Sequence, residues 1–161
     1  MKVEGRWQVG VAGAVIHRQR VLLVRHTYSE KQGRWALPGG FSLHSERLDE
    51  SIVREILEET GLYAKVVDLI GLVTRYSEDE GSVFVVFRLH PMAGQPAPDG
   101  VEVDRLGWFT AEEAAAMTAD ELWSDIRNPA LAALAGGDGL IEDGQYPGRS
   151  ETARAFLLFN G

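Results

Sequence analysis

The sequence predicts an α/β fold, in which a mixed β-sheet is packed between helices. Short runs rich in valine alternate along the chain with longer segments whose apolar residues recur at helical spacing. Strands and helices mixed in this order favour a sheet with helices packed against it. With 161 residues, of which 45% are hydrophobic and 25% charged, the chain has the size and composition of a single domain, 1–161.

Five strands are predicted. Alternating valines from Val9 to Val15 form the first, and the apolar run Val21 to Val24 pairs with it as a hairpin. Ala64 to Tyr76 and Ser82 to His90 form two longer strands. The second contains VFVVF, which is apolar on both faces, so we expect a central position in the sheet. Arg105 to Phe109 forms the last strand.

Three helices are predicted. The first runs from Ser45, a suitable N-cap, to Thr60, and Gly61 is a natural C-terminal stop. Thr110 and Glu113 form a capping box that opens the second helix. The third covers Leu122 to Ala135.

Composition excludes several classes of function. The net charge is −8, and no run of lysine or arginine supplies the basic patch that nucleic-acid binding requires. The chain has no cysteine, which excludes disulfides, zinc–thiolate sites and cysteine nucleophiles. We find neither a signal peptide nor a membrane-spanning apolar stretch, and expect a cytoplasmic protein without membrane or nucleic-acid partners. An anionic small molecule would need a bound cation to bridge it to so acidic a protein.

The first helix carries a cluster of carboxylates. Glu55, Glu58 and Glu59 stand at i, i+3 and i+4, so they share one face, and Arg54 can hydrogen-bond Glu58. Like charges repel at this spacing, and the negative end of the helix dipole disfavours anions in the last turn. A divalent cation would reverse both penalties, and oxygen ligands suit Mg²⁺ or Mn²⁺. Taken alone, such a face is more often simply solvated.

The wider segment, residues 40–62, decides between these interpretations because it resembles the Nudix box, G-x5-E-x7-R-E-U-x-E-E-x-G-U, where U is a bulky aliphatic residue. The fixed positions are filled by Gly40, Glu46, Arg54, Glu55, Glu58, Glu59 and Gly61, and the aliphatic positions by Ile56 and Leu62. The resemblance to the Nudix hydrolase family implies an α/β/α sandwich and a magnesium-dependent pyrophosphohydrolase, with Mn²⁺ as a substitute cation.

The resemblance also implies roles for individual residues. Glu55, Glu58 and Glu59, joined by the carbonyl of Gly39, would bind the metal, and Arg54 with Glu46 would orient these ligands. The metal would neutralise the diphosphate and lower the pKa of the attacking water. We interpret Glu58 as the general base, because it lies centrally in the acidic face and Arg54 can orient it.

Residues outside the box leave alternatives open. In some family members the base comes from a later loop, for which the acids here are Glu78, Asp79, Glu80, Glu102 and Asp104. The four histidines, His17, His26, His44 and His90, are interpreted as non-catalytic. Trp35 and Trp108 are expected in the core. For Trp7, Tyr28 and Tyr76, packing in the core or on the surface is favoured over base stacking. No substrate-binding residue is assigned.

We expect a substrate in which a nucleoside diphosphate is linked to another moiety, as in ADP-ribose or nucleotide sugars. One alternative is a nucleoside triphosphate pyrophosphohydrolase that removes normal or oxidised nucleotides. Another is a non-catalytic sensor that binds a nucleotide, against which the complete set of carboxylates argues.

The C-terminal segment, 136–161, begins with a glycine-rich break and ends in an apolar stretch, Phe156 to Phe159. Leaving these side chains in water would cost about 1.5 kcal/mol or more each. We expect the segment to dock on the domain or on a second subunit, and homodimers, which are frequent in the family, favour the second.

Overall fold

The computed structural model describes residues 6–76, 80–137, 139, 141–142 and 156–157. Within them the strands are β1 (Arg6–His17), β2 (Arg20–His26), β3 (Trp35–Ala36), β4 (Gly39–Phe41), β5 (Tyr63–Tyr76), β6 (Glu80–Ala93), β7 (Val103–Phe109), β8 (Ile141–Glu142) and β9 (Phe156–Leu157). The α-helices are α1 (Leu48–Thr60), α2 (Ala111–Ala116) and α3 (Ser124–Ala135).

Seven of the described strands form one mixed sheet in the order β3-β2-β1-β6-β5, with β4 paired to β1 and β7 paired to β2. The strands β1 and β6 are parallel, and the other pairs are antiparallel. The predicted hairpin is confirmed, since Ile16 lies opposite Val21 where β1 turns into β2. The central position predicted for the VFVVF strand is also confirmed, because β6 lies between β1 and β5.

Each face of the sheet is covered by helices, which confirms the predicted α/β/α sandwich. Side chains alternate between the two faces, so Val11 and Val15 pack on the α1 side while Ala12 and Ala14 pack on the α3 side. Buried residues of the α1 core include Leu22, Ile52, Ile56, Val85, Phe87 and Leu89, and those of the α3 core include Val21, Leu23, Val86, Leu122, Ala130 and Ala133. The amphipathic helix α1 is thereby held with its polar face outward at one end of the sheet.

Helix α1 begins at Leu48, with Arg47 at the N-cap position, so the predicted start at Ser45 is wrong by three residues. The Glu46 side chain is occupied elsewhere, since it accepts hydrogen bonds from the Leu43 amide and from Arg54. The predicted end is confirmed, because Gly61 adopts the left-handed conformation with φ of 70° and donates its amide hydrogen to the Leu57 carbonyl.

The other helical boundaries differ little from the prediction. Thr110 caps α2 through the expected exchange with Glu113. Helix α3 starts at Ser124 instead of Leu122, because the backbone around Leu122 is hydrogen-bonded to β3. The Trp35 amide donates to the Glu121 carbonyl, and the Trp123 amide donates to the Trp35 carbonyl. The last predicted strand starts two residues earlier, at Val103.

Some predictions fall outside the described residues. These include the loop acids Glu78 and Asp79 and most of the C-terminal segment. Near the start of that segment the Gly137 carbonyl accepts a hydrogen bond from Arg88 and the Gly139 amide donates one to Asp68; farther along, the backbone pairing of β8 with β9 is described. Docking of that segment and formation of a homodimer therefore stay predictions. Among the described helices none has the length and apolar character needed to cross a bilayer.

Candidate active site

A cleft of about 590 Å³ opens along the polar face of α1. Glu55, Glu58 and Glu59 line one wall together with Arg54, and the turn Gly39–Phe41 lies beside them. The facing walls are built from segments distant in sequence and contribute Tyr28, Lys31, Phe84, Arg75, Glu102 and Trp123. Of the residues predicted for the site, only Glu46 does not line the cleft, because it lies behind Arg54.

The Pro-Gly-Gly turn brings backbone against the carboxylates of α1. The Gly39 amide donates to Glu59 Oε2 at 2.9 Å. A Cβ at Gly39, whose φ is 150°, would lie 2.1 Å from the Val11 carbonyl oxygen, and a Cβ at Gly40 would lie 2.8 Å from both carboxylate oxygens of Glu55. At Gly39 the close atoms are backbone and only glycine permits the approach, whereas a side chain at Gly40 would displace the Glu55 carboxylate.

Arg54 connects three of the predicted site carboxylates. Its Nε and Nη2 bind the two oxygens of Glu46 at 3.0 and 2.7 Å, while Nη1 donates to Glu55 at 2.7 Å and to Glu58 at 3.1 Å. Ser51 Oγ adds a hydrogen bond to Glu46 at 2.5 Å. These bonds, chiefly those from Arg54, lower the pKa of Glu46 to about 2. Glu46 is therefore ionised at all ordinary pH values and fixes the orientation of the guanidinium.

The inner two carboxylates of the face are buried without sufficient positive charge. Glu59 is only 2% exposed, and burial raises the pKa of its carboxyl from 4.5 to about 8 despite the hydrogen bond from Gly39. Burial also raises the pKa of Glu55, an effect that Arg54 opposes. Glu55 and Glu102 raise the pKa of Glu59 further, whereas the ammonium group of Lys31 lowers it. A cation placed between these groups would favour their ionised forms.

The donor set fits a hard divalent cation. Among the described residues no three histidine, aspartate or glutamate side chains are arranged to hold an ion by themselves. A complete cage is not required, because Mg²⁺ keeps several waters and is usually bound through one or two carboxylates together with substrate phosphates. The raised pKa values of Glu55 and Glu59 are the structural sign that positive charge is needed at this position.

The raised pKa of Glu59 predicts that Mg²⁺ binds more strongly as the pH increases towards 8. Between about pH 4.5 and 8 the folded protein holds a proton on Glu59, because the pKa of that carboxyl is about 8. The unfolded chain, in which the pKa is near 4.5, has already lost this proton. Increasing pH therefore destabilises the metal-free protein over this interval, and Mg²⁺ must displace the proton to bind. We expect the Mg²⁺-induced increase in melting temperature, measured by scanning calorimetry, to grow between about pH 6 and 8. In Glu59→Gln the increase in melting temperature with Mg²⁺ should be small and independent of pH. Equal increases at about pH 6 and pH 8 in the wild type would contradict the prediction.

The structure separates the later loop acids. Glu102 lines the cleft, where its carboxylate accepts a hydrogen bond from Tyr28 Oη at 2.9 Å. The backbone amide of Glu102 donates a hydrogen bond to the Asp99 carboxylate. Asp104 is instead engaged by Arg25 through two hydrogen bonds and does not line the cleft. Glu80 lies in an adjoining hollow. Of the three predicted loop acids that the structure describes, Glu80, Glu102 and Asp104, only Glu102 lines the cleft with the carboxylates of α1, and the neighbouring Asp99, which was not predicted, lines it too.

Sequence reasoning missed several residues of the cleft. Lys31 and Arg75 supply positive charge, and Phe41 and Phe84 supply aromatic surface. Lys31, Arg75 and Phe84 belong to no recognisable motif, and Phe41 occupies a variable position of the segment 40–62. His26 also lines the cleft, but it is 3% exposed, and its burial lowers the pKa to about 4, so it remains neutral. Trp35 and Trp108 pack against the two cores as predicted.

The fold and the site together describe an α/β/α sandwich that holds a carboxylate-rich cleft at one end of its first helix. A family model for the Nudix domain matches residues 6–131, and the chain belongs to the Nudix family. An ADP-ribose pyrophosphatase from Methanocaldococcus jannaschii is 38% identical over 89 residues, which cover 54% of this chain and 53% of that protein. The chain thus spans about half of the length of that relative.

Two further similar proteins are covered over more of their own length. A MutT-like protein from Streptomyces ambofaciens is 32% identical over 113 residues, which are 70% of each chain. The crystal structure of a MutT Nudix hydrolase from Burkholderia pseudomallei matches with a TM-score of 0.68 and 26% identity, covering 78% of this chain and 96% of that one.

Proposed function

We propose that the chain is a Mg²⁺-dependent pyrophosphohydrolase, for which Mn²⁺ can substitute, and that it cleaves a nucleoside diphosphate linked to another moiety. The observation that carries the proposal is the pair of buried carboxylates, Glu55 and Glu59, facing a cleft whose other wall bears Lys31 and Arg75. Carboxylates whose pKa is raised by burial despite nearby cations suit a metal, and the Lys31 and Arg75 side chains in the same cleft suit the phosphates that bind to it. The cleft is therefore suited to an anionic substrate even though the protein as a whole is acidic.

Glu55, Glu58 and Glu59, together with the Gly39 carbonyl, would hold the cation. When bound, it supplies charge neutralisation at the diphosphate and a more acidic water. Arg54 and Glu46 act as positioning residues, because their four charge-assisted contacts orient Glu55 and Glu58.

Glu58 is the proposed general base. Its side chain is 58% exposed at the cleft, so water can reach it, and the Arg54 guanidinium holds one of its oxygens at 3.1 Å. The carboxylate takes a proton from water as the water oxygen bonds to phosphorus, and the phosphorus–oxygen bond of the anhydride breaks. The departing phosphate leaves as an anion, and Glu58 then releases its proton to solvent.

The substrate class is proposed from the relatives and from the cleft. The M. jannaschii relative is named an ADP-ribose pyrophosphatase, and the cleft combines a phosphate-binding region with aromatic surface. ADP-ribose and nucleotide sugars contain both a diphosphate and a nucleobase, so they match both features.

A panel of ADP-ribose, nucleotide sugars and nucleoside triphosphates, incubated with Mg²⁺ and separated by ion-exchange chromatography, tests the proposal. We expect ADP-ribose or a nucleotide sugar to yield a nucleoside monophosphate and a sugar phosphate, and excess chelator to abolish the reaction until Mg²⁺ or Mn²⁺ is restored. Release of pyrophosphate from triphosphates alone would identify a triphosphate pyrophosphohydrolase instead. Tight nucleotide binding without hydrolysis would identify a sensor, and hydrolysis in excess chelator would remove the metal mechanism.

A further inference from the structure

A row of three residues crosses the sheet beside the acidic wall of the cleft: Phe41 on β4, Gly10 on β1 and Phe84 on β6. Gly10 lies directly opposite Phe41 on one side and Phe84 on the other. We propose that this row, which we call the aromatic platform, stacks the nucleobase of the substrate. The proposal rests on the proposed function and deepens it, because it assigns the residues that select a nucleoside-containing diphosphate.

Gly10 is what allows the platform to form. Residues directly opposite one another on paired strands project from the same face of the sheet, so both rings stand on the face that bears Gly10. A Cβ at Gly10 would lie 2.5 Å from Phe84 Cε1, which shows that the ring covers the glycine backbone. The two ring centres are 5.4 Å apart with an angle of 49° between the ring planes. The missing side chain thus lets two phenylalanines from strands on either side of β1 come into contact.

The platform is exposed where a core residue would be covered. Phe41 is 51% exposed, although full burial of a phenylalanine side chain is favourable. Phe41 and Phe84 both line the cleft that contains Glu55, Glu58 and Glu59. A flat apolar group attached to a diphosphate bound at those carboxylates is therefore the occupant that fits.

The surroundings of the platform fit a base linked to phosphate. The Lys31 ammonium lies 5.8 Å from the centre of the Phe84 ring, and its charge also acts on Glu59, so positive charge lies close to both parts of the cleft. On the opposite side, Gln8 and Ser82 face each other across β1 and β6 in a hollow that includes Phe41. Their amide and hydroxyl groups can donate to and accept from the polar edge of a base.

Other aromatic residues are less suited to this role. Trp7 is 62% exposed but does not line the cleft. Trp123 lines it with a largely buried ring that already contacts the guanidinium groups of Arg34 and Arg75. Tyr28 lies on the far wall, where its hydroxyl is bound to Glu102.

Calorimetric titration of the protein with Mg²⁺ and the four nucleoside monophosphates AMP, GMP, CMP and UMP, compared with ribose 5-phosphate, tests the platform without requiring turnover. Stacking of a base on an aromatic side chain corresponds to a change of about 5- to 100-fold in affinity. We expect at least one nucleotide to bind at least about tenfold more tightly than ribose 5-phosphate. Phe41→Ala should remove most of that preference without changing the affinity for ribose 5-phosphate.

Three variants sharpen the test. Phe41→Leu keeps an apolar side chain but loses the aromatic face, so the preference should fall nearly as far as in Phe41→Ala. Leu72→Ala is the matched control, because Leu72 is 64% exposed but lies opposite Val85, which faces the α1 core, and outside the cleft. It should bind like the wild type. Gln8→Ala should change the ranking among the four bases and leave ribose 5-phosphate binding unchanged.

A wild type that binds no nucleotide more tightly than ribose 5-phosphate, or a Phe41→Ala variant that keeps the full preference, would overturn the platform. These results are distinct from failure of the proposed function. A platform that selects nucleotides in a protein that hydrolyses no diphosphate would overturn the function alone, whereas hydrolysis without any base preference would overturn the platform alone.

Discussion

We expect Glu58→Gln to lower turnover by about 10²-fold or more, the loss that follows when a general base or a metal ligand is removed. Glutamine keeps the size of the side chain and can still accept a hydrogen bond from Arg54. It can neither take a proton from water nor contribute a charge to the metal. Stability should change by less than about 0.5 kcal/mol. Losing the ion pair with Arg54 is offset by removing an anion from the last turns of α1, where the helix dipole disfavours it. Steady-state kinetics and thermal unfolding, measured on the same preparation, test both expectations.

Glu112→Gln is the matched control, because Glu112 is an exposed helical glutamate outside the cleft, in the first turn of α2. It should leave turnover unchanged. If Glu58→Gln also left turnover unchanged, the base would have to be another acid, and Glu102→Gln would be the next variant because Glu102 is the predicted loop acid that lines the cleft. Asp104→Asn should have little effect on turnover, since Arg25 binds that carboxylate outside the cleft.

Arg54→Ala should lower activity by about 10- to 100-fold, because the guanidinium orients Glu55 and Glu58 instead of contacting substrate. It should also lower the free energy of unfolding by about 1 to 3 kcal/mol, since Glu46 and Glu55 are largely buried and would lose their charged partner. The fold should persist, because Arg54 contributes to neither hydrophobic core. Kinetics, circular dichroism and thermal unfolding measure the three quantities.

The control for Arg54 is Arg47→Ala on the same helix. Arg47 is similarly buried and pairs with Asp49 and Glu50, but it does not line the cleft. It should lower stability while leaving turnover unchanged. Arg54→Lys restores the charge without the planar fork that binds both oxygens of Glu46, so it should recover stability in part and activity less. Loss of helical circular dichroism in Arg54→Ala at room temperature would show that Arg54 is a structural residue.

The features predicted most accurately from sequence depend on short-range geometry. An α-helix has 3.6 residues per turn, so the spacing of Glu55, Glu58 and Glu59 placed them on one face before any tertiary contact was known. The stop at Gly61 follows from its backbone freedom in the same way. The start of α1 was less predictable, because Glu46 bonds to Arg54, eight residues away, and the helix does not include the predicted cap at Ser45.

Features that join distant segments were decided by the tertiary structure. Glu102 and Asp104 are two residues apart at the start of β7, and only packing placed the first at the cleft and the second against Arg25. The aromatic platform combines residues 10, 41 and 84, whose contact depends on the register of three strands.

The sequence by itself therefore determined the family and the acidic helix face, and it predicted a bound cation, because regular helical geometry and a contiguous motif carry that information. The tertiary structure alone decided how deeply each carboxylate is buried, and with it the pKa of Glu59 near 8. It also decided which cations and aromatic rings face those carboxylates across the cleft. Burial and contact between remote segments depend on how the sheet and helices pack together, and no local spacing of residues specifies that arrangement.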